Sequence, residues 1–159
     1  MTLRISTISI TLGLALAAGA AFSDGHSQGP HASAIKNRQA VMSLYGFNMG
    51  ILGAMAKGQA DYDPAIASAA ANNMVLLVDL DLSAMWPQGS EAGVHDGSRA
   101  KAELWANFPD VVAKMGELQT ASAALSEAAG TDLDTMKAAM GPVGQVCSAC
   151  HKAYRAPKN

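Results

Sequence analysis

The residues of this chain best suited to chemistry are two cysteines and a histidine in one pentapeptide near the C-terminus. Cys147 and Cys150 are the only cysteines in the sequence, and His151 follows directly. This C-x-x-C-H spacing is the signature of covalent c-type haem attachment. Each thiol can add to one haem vinyl group, and the neutral imidazole beside them can bind the iron as its proximal ligand. The motif therefore predicts one covalently bound haem c, with His151 on the iron.

Two other kinds of site also use a cysteine pair. A thioredoxin-like redox pair normally follows a strand at the start of a βαβ unit, and no such pattern precedes Cys147. A zinc site needs a fourth ligand and usually a second ligand pair, which the sequence does not offer. A redox or structural cysteine pair therefore stays a minor alternative to haem attachment.

The N-terminus has the pattern of a secretory signal peptide. Arg4 is the only charged residue before Asp24, and an apolar stretch runs from about residue 8 to residue 21. This stretch is short for a membrane anchor, and small residues that suit processing follow it at once. Two cleavage sites are consistent with the pattern, Ala21-Phe22-Ser23 and Ala18-Gly19-Ala20.

Export divides the chain into three parts. We predict a cleaved signal peptide over residues 1–23, a flexible leader over 24–30 and one haem domain over 31–159. The mature chain would be a bacterial periplasmic protein without a stable membrane anchor. About 136 residues then remain, which is enough for one domain with its own core.

Composition restricts the fold and the partners. The chain has 11 Lys and Arg against 13 Asp and Glu, and its formal net charge is −2. We expect no nucleic-acid partner, because the sequence contains no basic stripe. Half of the residues are hydrophobic but only 5% are aromatic, and Ala, Met and Leu are frequent. This composition favours helices over sheets.

The apolar periodicity and the residues that interrupt it predict four main helices. Asp63 followed by Pro64 marks a helix start, and Thr131 with Asp134 resembles a capping box. Gly141-Pro142 should interrupt or bend the last helix. The predicted spans are 31–57, 63–80, 107–129 and 131–155, with a long connection over 81–97 and a short helical stretch over 100–106. The mostly short links suggest an all-α antiparallel bundle, in which a cofactor can lie between helices.

Several short segments appear in an order that is typical of a known family. They are Arg38 to Met42, Leu52 to Gly58, Asp61 to Asp63, Trp86 to Gly89, Ala102 to Trp105 and Gly141 to Arg155. In this order, with the haem motif at the C-terminal end, they resemble the class II cytochromes c, which include cytochrome c'. The resemblance extends over about residues 35–155. It implies a left-handed four-helix bundle that often forms a homodimer through its first two helices.

The resemblance also suggests which side chains surround the haem. Met42 matches the first-helix position that faces the iron, and Met49 lies on the same stripe as an alternative. Arg38 and Gln39 match positions that contact the haem edge and a propionate. Arg155, one turn after the histidine, matches an arginine near the proximal pocket.

The sixth position on the iron separates two functions. If Met42 fills it, the protein is a low-spin electron carrier that serves redox partner proteins in the periplasm. If the position is open, the protein is a five-coordinate, high-spin haem protein that binds nitric oxide or carbon monoxide. The segment from Met42 to Gly58 resembles the methionine-ligated branch more closely. We expect no enzyme activity, because no acid, base and nucleophile form a recognisable set.

Overall fold

The computed structural model describes residues 29–158, and its regular elements are helices, without a β-strand in that range. The predicted signal peptide and most of the predicted leader lie outside the described residues. Five α-helices follow one another along the chain: α1 (Ala32–Ala56), α2 (Pro64–Val78), α3 (Glu103–Ala106), α4 (Phe108–Ala128) and α5 (Leu133–Tyr154). A 3-10 turn over Ser83–Met85 lies in the long connection between α2 and α3. The predicted all-α class is confirmed.

The end of α1 and the start of α2 lie where turn chemistry predicts. The carboxylate of Asp63 accepts hydrogen bonds from the backbone N–H of Ala65 (2.8 Å) and Ile66 (3.0 Å), so it caps α2 ahead of Pro64. Gly58 follows α1 with a φ of 67°, which glycine adopts without strain. Helices α1 and α2 are therefore set apart by a defined turn.

The start of α5 differs from the prediction. Thr131 does not cap this helix; the carboxylate of Asp132 accepts from the backbone N–H of Thr135 at 2.8 Å, and the helix begins at Leu133. An aspartate carboxylate is an effective cap, and its first oxygen reaches the third helical residue from this position. The expected interruption at Gly141-Pro142 is also wrong, since α5 continues through both residues. Pro142 is exposed, so the backbone hydrogen bond it cannot make is lost on the solvent side.

The four long helices form a bundle around one main core. Helix α4 packs against α5 and α2, α2 packs against α1, and α1 also contacts α5. Completely buried side chains from all four helices fill the centre, among them Leu52, Met74, Leu125, Met136 and Val143. Burial of each side chain of this size contributes about 1.5–3 kcal/mol, so the core holds the helices in register.

A second, smaller core lies at the end of the bundle where α5 finishes. It consists of Ala100, Leu104 and Tyr154, with Trp86 and Cys150 packed against it. Backbone hydrogen bonds tie the connection to the end of α5, from Lys101 N–H to the carbonyl of Tyr154 (2.9 Å) and from Ala156 N–H to the carbonyl of Arg99 (2.8 Å). This core holds the C-terminal turns of α5 against α3.

Among the helices of residues 29–158, none combines the length and the apolar character that a membrane crossing requires.

Candidate functional site

A cavity of about 610 Å³ lies between α1, α4, the end of α5 and the long connection. Its volume is within the usual range for sites that bind small molecules and cofactors. Six of the seven residues that the sequence selects for the haem site line it: Arg38, Gln39, Met42, Cys150, His151 and Arg155. The fold therefore brings together residues from the first and the last helix that are far apart in sequence.

The two cysteines occupy different surroundings on α5. Cys150 lines the cavity, whereas Cys147 is not among the lining residues and packs against the main core. Both side chains are half-buried, and burial raises the pKa of each thiol above its usual range. The pair therefore follows the inner side of α5 from the main core to the cavity.

His151 has an environment that favours its neutral form. Burial lowers the pKa of the imidazole, and the charges of Arg155 and Arg99 lower it further. The side chain is half-buried and lines the cavity. A neutral imidazole carries the lone pair that binds iron, so His151 is suited to the predicted proximal position.

Methionines reach the cavity from two helices. Met42 on α1 lines it and is 37% exposed. Met49 does not line it and packs against the main core instead. Met115 on α4 also lines the cavity and was missed in the sequence. Met115 lies four residues after Val111, so the sequence indicates that both side chains face the interior of the bundle. No sequence signal shows whether such a side chain lines a cavity or packs in the core.

Arg38 is buried in a hydrogen-bond network with the long connection. Its guanidinium donates to the hydroxyl of Ser90 (2.7 Å) and to the backbone carbonyls of Ser90 (2.7 Å) and Met85 (3.3 Å), and to the hydroxyl of Ser98 (2.8 Å). The same group lies 4.8 Å from the centre of the Trp86 ring. Only 4% of Arg38 is exposed, and burial lowers its pKa. The two serines were not found in the sequence, because no pattern marks them.

Gln39 and Arg155, the other two residues predicted to lie near the haem, contact the segment between α2 and α3. The side-chain amide of Gln39 donates to the carbonyl of Gly97 at 2.7 Å. Arg155 follows α5 directly and pairs with Ala100 in an isolated antiparallel bridge. Arg99, which sequence reasoning missed, lines the cavity and donates two side-chain hydrogen bonds to the carbonyl of Ala156 (3.0 and 2.7 Å).

Tyr154 joins α5 to the start of α4 at the edge of the cavity. Its hydroxyl donates a hydrogen bond to the carboxylate of Asp110. This hydrogen bond raises the pKa of Tyr154 to about 12 and lowers the pKa of Asp110. Lys114 pairs with the other oxygen of the carboxylate at 3.4 Å. The contact fixes the last turn of α5, which carries His151.

The cavity fits a haem. Apolar side chains suited to a flat macrocycle line it, including Val78, Leu82, Leu104, Phe108 and Val111. The guanidinium of Arg38 is buried in the wall, and no carboxylate within residues 29–158 forms an ion pair with it. A buried cation without a counter-charge is unfavourable, and a haem propionate would supply one. Among the described residues, no group of three or more His, Cys, Asp or Glu side chains is placed to hold a metal ion.

A four-helix bundle with C-x-x-C-H in the last turns of its last helix defines a class II cytochrome c. The chain belongs to the cytochrome c' family: residues 33–155 match the sequence profile described as cytochrome C'. It is similar to cytochrome c-554 of Cereibacter sphaeroides, with 35% identity over 121 residues, 76% of this chain and 91% of the relative.

Solved structures agree with this assignment. A cytochrome c' from Rhodobacter sphaeroides has a TM-score of 0.79 and 35% identity, covering 82% of this chain and 100% of that one. A carbon monoxide-bound variant of cytochrome c' from Alcaligenes xylosoxidans has a TM-score of 0.68 and 34% identity, covering 80% of this chain and 98% of that one. The predicted class, the four-helix bundle and the haem c attached through Cys147 and Cys150 are confirmed. The roles of His151, Met42, Arg38, Gln39 and Arg155 toward the haem stay predictions.

Proposed function

We propose that this protein is a periplasmic electron carrier whose haem iron is bound by His151 on the proximal side and by Met42 on the distal side. The observation that supports this is the position of two side chains. Met42 and His151 line one cavity from α1 and α5, whereas Met49 packs in the main core. Met42 is therefore favoured over Met49 as the distal ligand.

The chain contributes ligands and surroundings, and the haem, when bound, supplies the one-electron chemistry. A thioether sulfur on the iron raises the reduction potential and competes with small external ligands. Leu104 and Phe108 contribute apolar side chains to the walls of the cavity. Arg38 and Arg155 place positive charge where the propionates would lie. The cavity holds no recognisable set of acid, base and nucleophile within the described residues, so we infer a carrier and not an enzyme.

Optical spectra of methionine variants test this proposal. We expect a low-spin reduced spectrum that carbon monoxide does not change. Met42→Ala should make the haem high-spin and able to bind carbon monoxide, because it removes the sulfur. Met115→Ala is the matched control, since it removes another methionine from the same cavity and should leave the low-spin spectrum in place. Loss of the low-spin spectrum in Met115→Ala alone would assign the ligand to α4.

The second candidate is a five-coordinate protein that binds nitric oxide or carbon monoxide. It is supported by the carbon monoxide-bound cytochrome c' variant at 34% identity and by a related variant of the same protein with bound nitric oxide, at 33% identity. A high-spin spectrum of the unmodified protein that shifts with carbon monoxide would favour this candidate and contradict ligation by Met42.

We also infer export and self-association. The N-terminal signal pattern supports a periplasmic location, which fractionation of cells that express the full chain would test. Large apolar side chains are exposed on both α1 and α2, among them Phe47 (65%) and Leu76 (67%). Exposed apolar side chains on two neighbouring helices suit a homodimer, and we propose that they form its seam.

A further inference from the structure

We propose that a cluster of basic side chains at the end of α5 is the docking surface for an acidic redox partner protein. This basic rim consists of Arg99, Lys101, Lys152, Arg155 and Lys158. It holds five of the eleven lysines and arginines of the chain. The inference rests on the proposed electron-carrier function and adds the place and the chemistry of the partner contact.

The fold assembles the rim from two distant segments. Residues 99–101 run beside residues 154–156, joined by the bridge between Ala100 and Arg155 and by the backbone hydrogen bonds on either side of it. Lys101 reaches across with its ammonium group and donates to the carbonyls of Lys152 (3.4 Å) and Ala153 (3.2 Å). The basic residues of both segments therefore share one surface.

No rim residue forms an ion pair with a carboxylate of residues 29–158. Two ion pairs lie within residues 29–158, Lys114 with Asp110 and Lys137 with Asp134, and neither includes a rim residue. Arg99 and Arg155 line the cavity and can face one haem propionate, while Arg38 faces the other. The three lysines do not line the cavity, and Lys152 and Lys158 are exposed. The rim therefore stays positive when the haem is in place.

The opposite end of the bundle has the opposite charge. The turn before α2 and the turn before α5 meet there, because the hydroxyl of Tyr62 donates to the carbonyl of Ala129 at 2.9 Å. Four acidic residues lie in or beside these two turns, Asp61, Asp63, Asp132 and Asp134, against two lysines, Lys57 and Lys137. Acidic residues therefore predominate at this end, whereas the rim consists of basic residues. Such a charge distribution orients a charged partner before contact and raises the rate of productive encounter.

The rim suits an acidic protein better than an anionic membrane. Proteins that bind membranes at the surface insert large apolar side chains beside their basic residues. The described residues of the rim segments carry no large exposed apolar side chain, and Tyr154 between them is buried. Because two rim residues also line the haem cavity, a partner bound there lies near the haem.

The first test measures electron exchange of the holoprotein with two small probes of opposite charge. Anionic hexacyanoferrate(III) should oxidise the reduced protein faster at low ionic strength than at high ionic strength, despite the net negative charge of the chain. Cationic hexaammineruthenium(III) should show the opposite dependence or none. The double variant Lys152→Glu with Lys158→Glu should lower the low-salt rate with the anion by roughly tenfold.

The control is the double variant Lys57→Glu with Lys137→Glu, which changes the net charge equally. Lys137 lies about 22 Å from Lys152 along the axis of α5, beyond the screening length at physiological salt. At physiological salt this control should change the rate by less than about twofold, and the rim variant should lower it by more. Equal effects of the two double variants at that same salt concentration would overturn the rim as a local surface.

A binding arm identifies the class of partner. We expect a ten-residue polyglutamate peptide to shift the NMR signals of Lys101, Lys152 and Lys158, and the rim variant to lose this binding. If the protein binds phosphatidylglycerol vesicles but not the peptide, the proposal of an acidic protein partner is overturned, and the rim is a membrane-binding surface. If neither small probe exchanges electrons with any variant, the electron-carrier proposal fails, while peptide binding still decides whether the rim recognises acidic chains.

Discussion

The guanidinium of Arg38 donates hydrogen bonds to both the hydroxyl and the backbone carbonyl of Ser90, each at 2.7 Å. Ser90 is completely buried, and its hydroxyl donates in turn to the carbonyl of Pro87 at 2.7 Å. The connection between α2 and α3 has little regular structure, so these bonds give it a fixed position against α1. The wall of the haem cavity formed by Trp86 depends on that position.

Replacement of Arg38 should therefore loosen the connection as well as the haem surroundings. Arg38→Gln removes hydrogen bonds from a charged donor and leaves buried acceptors unpaired, at a cost of about 3 kcal/mol in the free energy of unfolding. Chemical denaturation followed by circular dichroism measures this change. Faster hydrogen exchange at the backbone N–H of residues 90–98 should accompany it.

Gln39→Ala is the matched control for Arg38→Gln. Gln39 is exposed and donates one hydrogen bond, to the carbonyl of Gly97. Its removal should cost no more than about 1 kcal/mol. If Arg38→Gln and Gln39→Ala lowered the free energy of unfolding equally, the hydrogen-bond network of Arg38 would not hold the connection in place. Arg38 would then have a role toward the haem alone.

The cap of α5 provides a second prediction. Asp132→Ala should lower the free energy of unfolding by about 1 kcal/mol, because the carboxylate accepts from the backbone N–H of Thr135. Thr131→Ala should change stability by less than about 0.5 kcal/mol, since Thr131 makes no capping hydrogen bond in the structure. Thermal unfolding of the two variants separates them, and the reverse order would restore Thr131 as the cap.

These two cases show which features a sequence can predict here. Gly58 and the pair Asp63-Pro64 mark helix boundaries through their own backbone chemistry, so the predicted bounds agree with the structure to within a few residues. Thr131 and Asp132 are adjacent, and both residue types can cap a helix. Which of them caps α5 depends on the backbone geometry, which the spacing of residues does not reveal. Ser90 and Ser98 bind Arg38 across a long irregular connection, and no local pattern encodes that contact.

The same distinction applies to the haem site. The C-x-x-C-H motif contains the haem-attachment residues within five consecutive positions, so the sequence alone predicts the attachment site. Met42 and Met115 both line the cavity, although one lies on α1 and the other on α4. Apolar periodicity shows only that each faces inward, because a core position and a cavity position have the same pattern.

The contact between Tyr154 and Asp110 leads to a prediction about pH. The folded state holds the pKa of Tyr154 at about 12, above its usual value of 10, mainly through this hydrogen bond. A raised pKa stabilises the folded state below pH 10, and this contribution should be lost as the pH rises from about 10 to about 12. The lowered pKa of Asp110 stabilises the fold above about pH 4 and loses its effect as the pH falls further.

Tyr154→Phe should remove the alkaline pH dependence and weaken the acid one, because Lys114 still lowers the pKa of Asp110. Unfolding curves of the two proteins should differ at neutral pH and converge toward pH 12 and toward acid. A constant difference at all pH values would mean that the variant acts through packing in the small core and not through the hydrogen bond. Lys114→Gln is a further control, because it removes the other partner of Asp110 and leaves the phenol in place.

The exposed apolar faces of α1 and α2 lead to the last prediction. If these faces form the homodimer, Phe47→Glu should convert the protein to a monomer, because it buries an unpaired charge in the seam. Sedimentation velocity at several protein concentrations measures the change. Val94→Glu is the matched control: Val94 is also exposed (61%) but lies in the long connection, so its variant should keep the dimer. The haem spectrum should be unchanged in both variants, since neither residue lines the cavity. If Phe47→Glu is still a dimer, the dimer interface does not include this face of α1. If the unsubstituted protein is a monomer, the proposed homodimer is wrong.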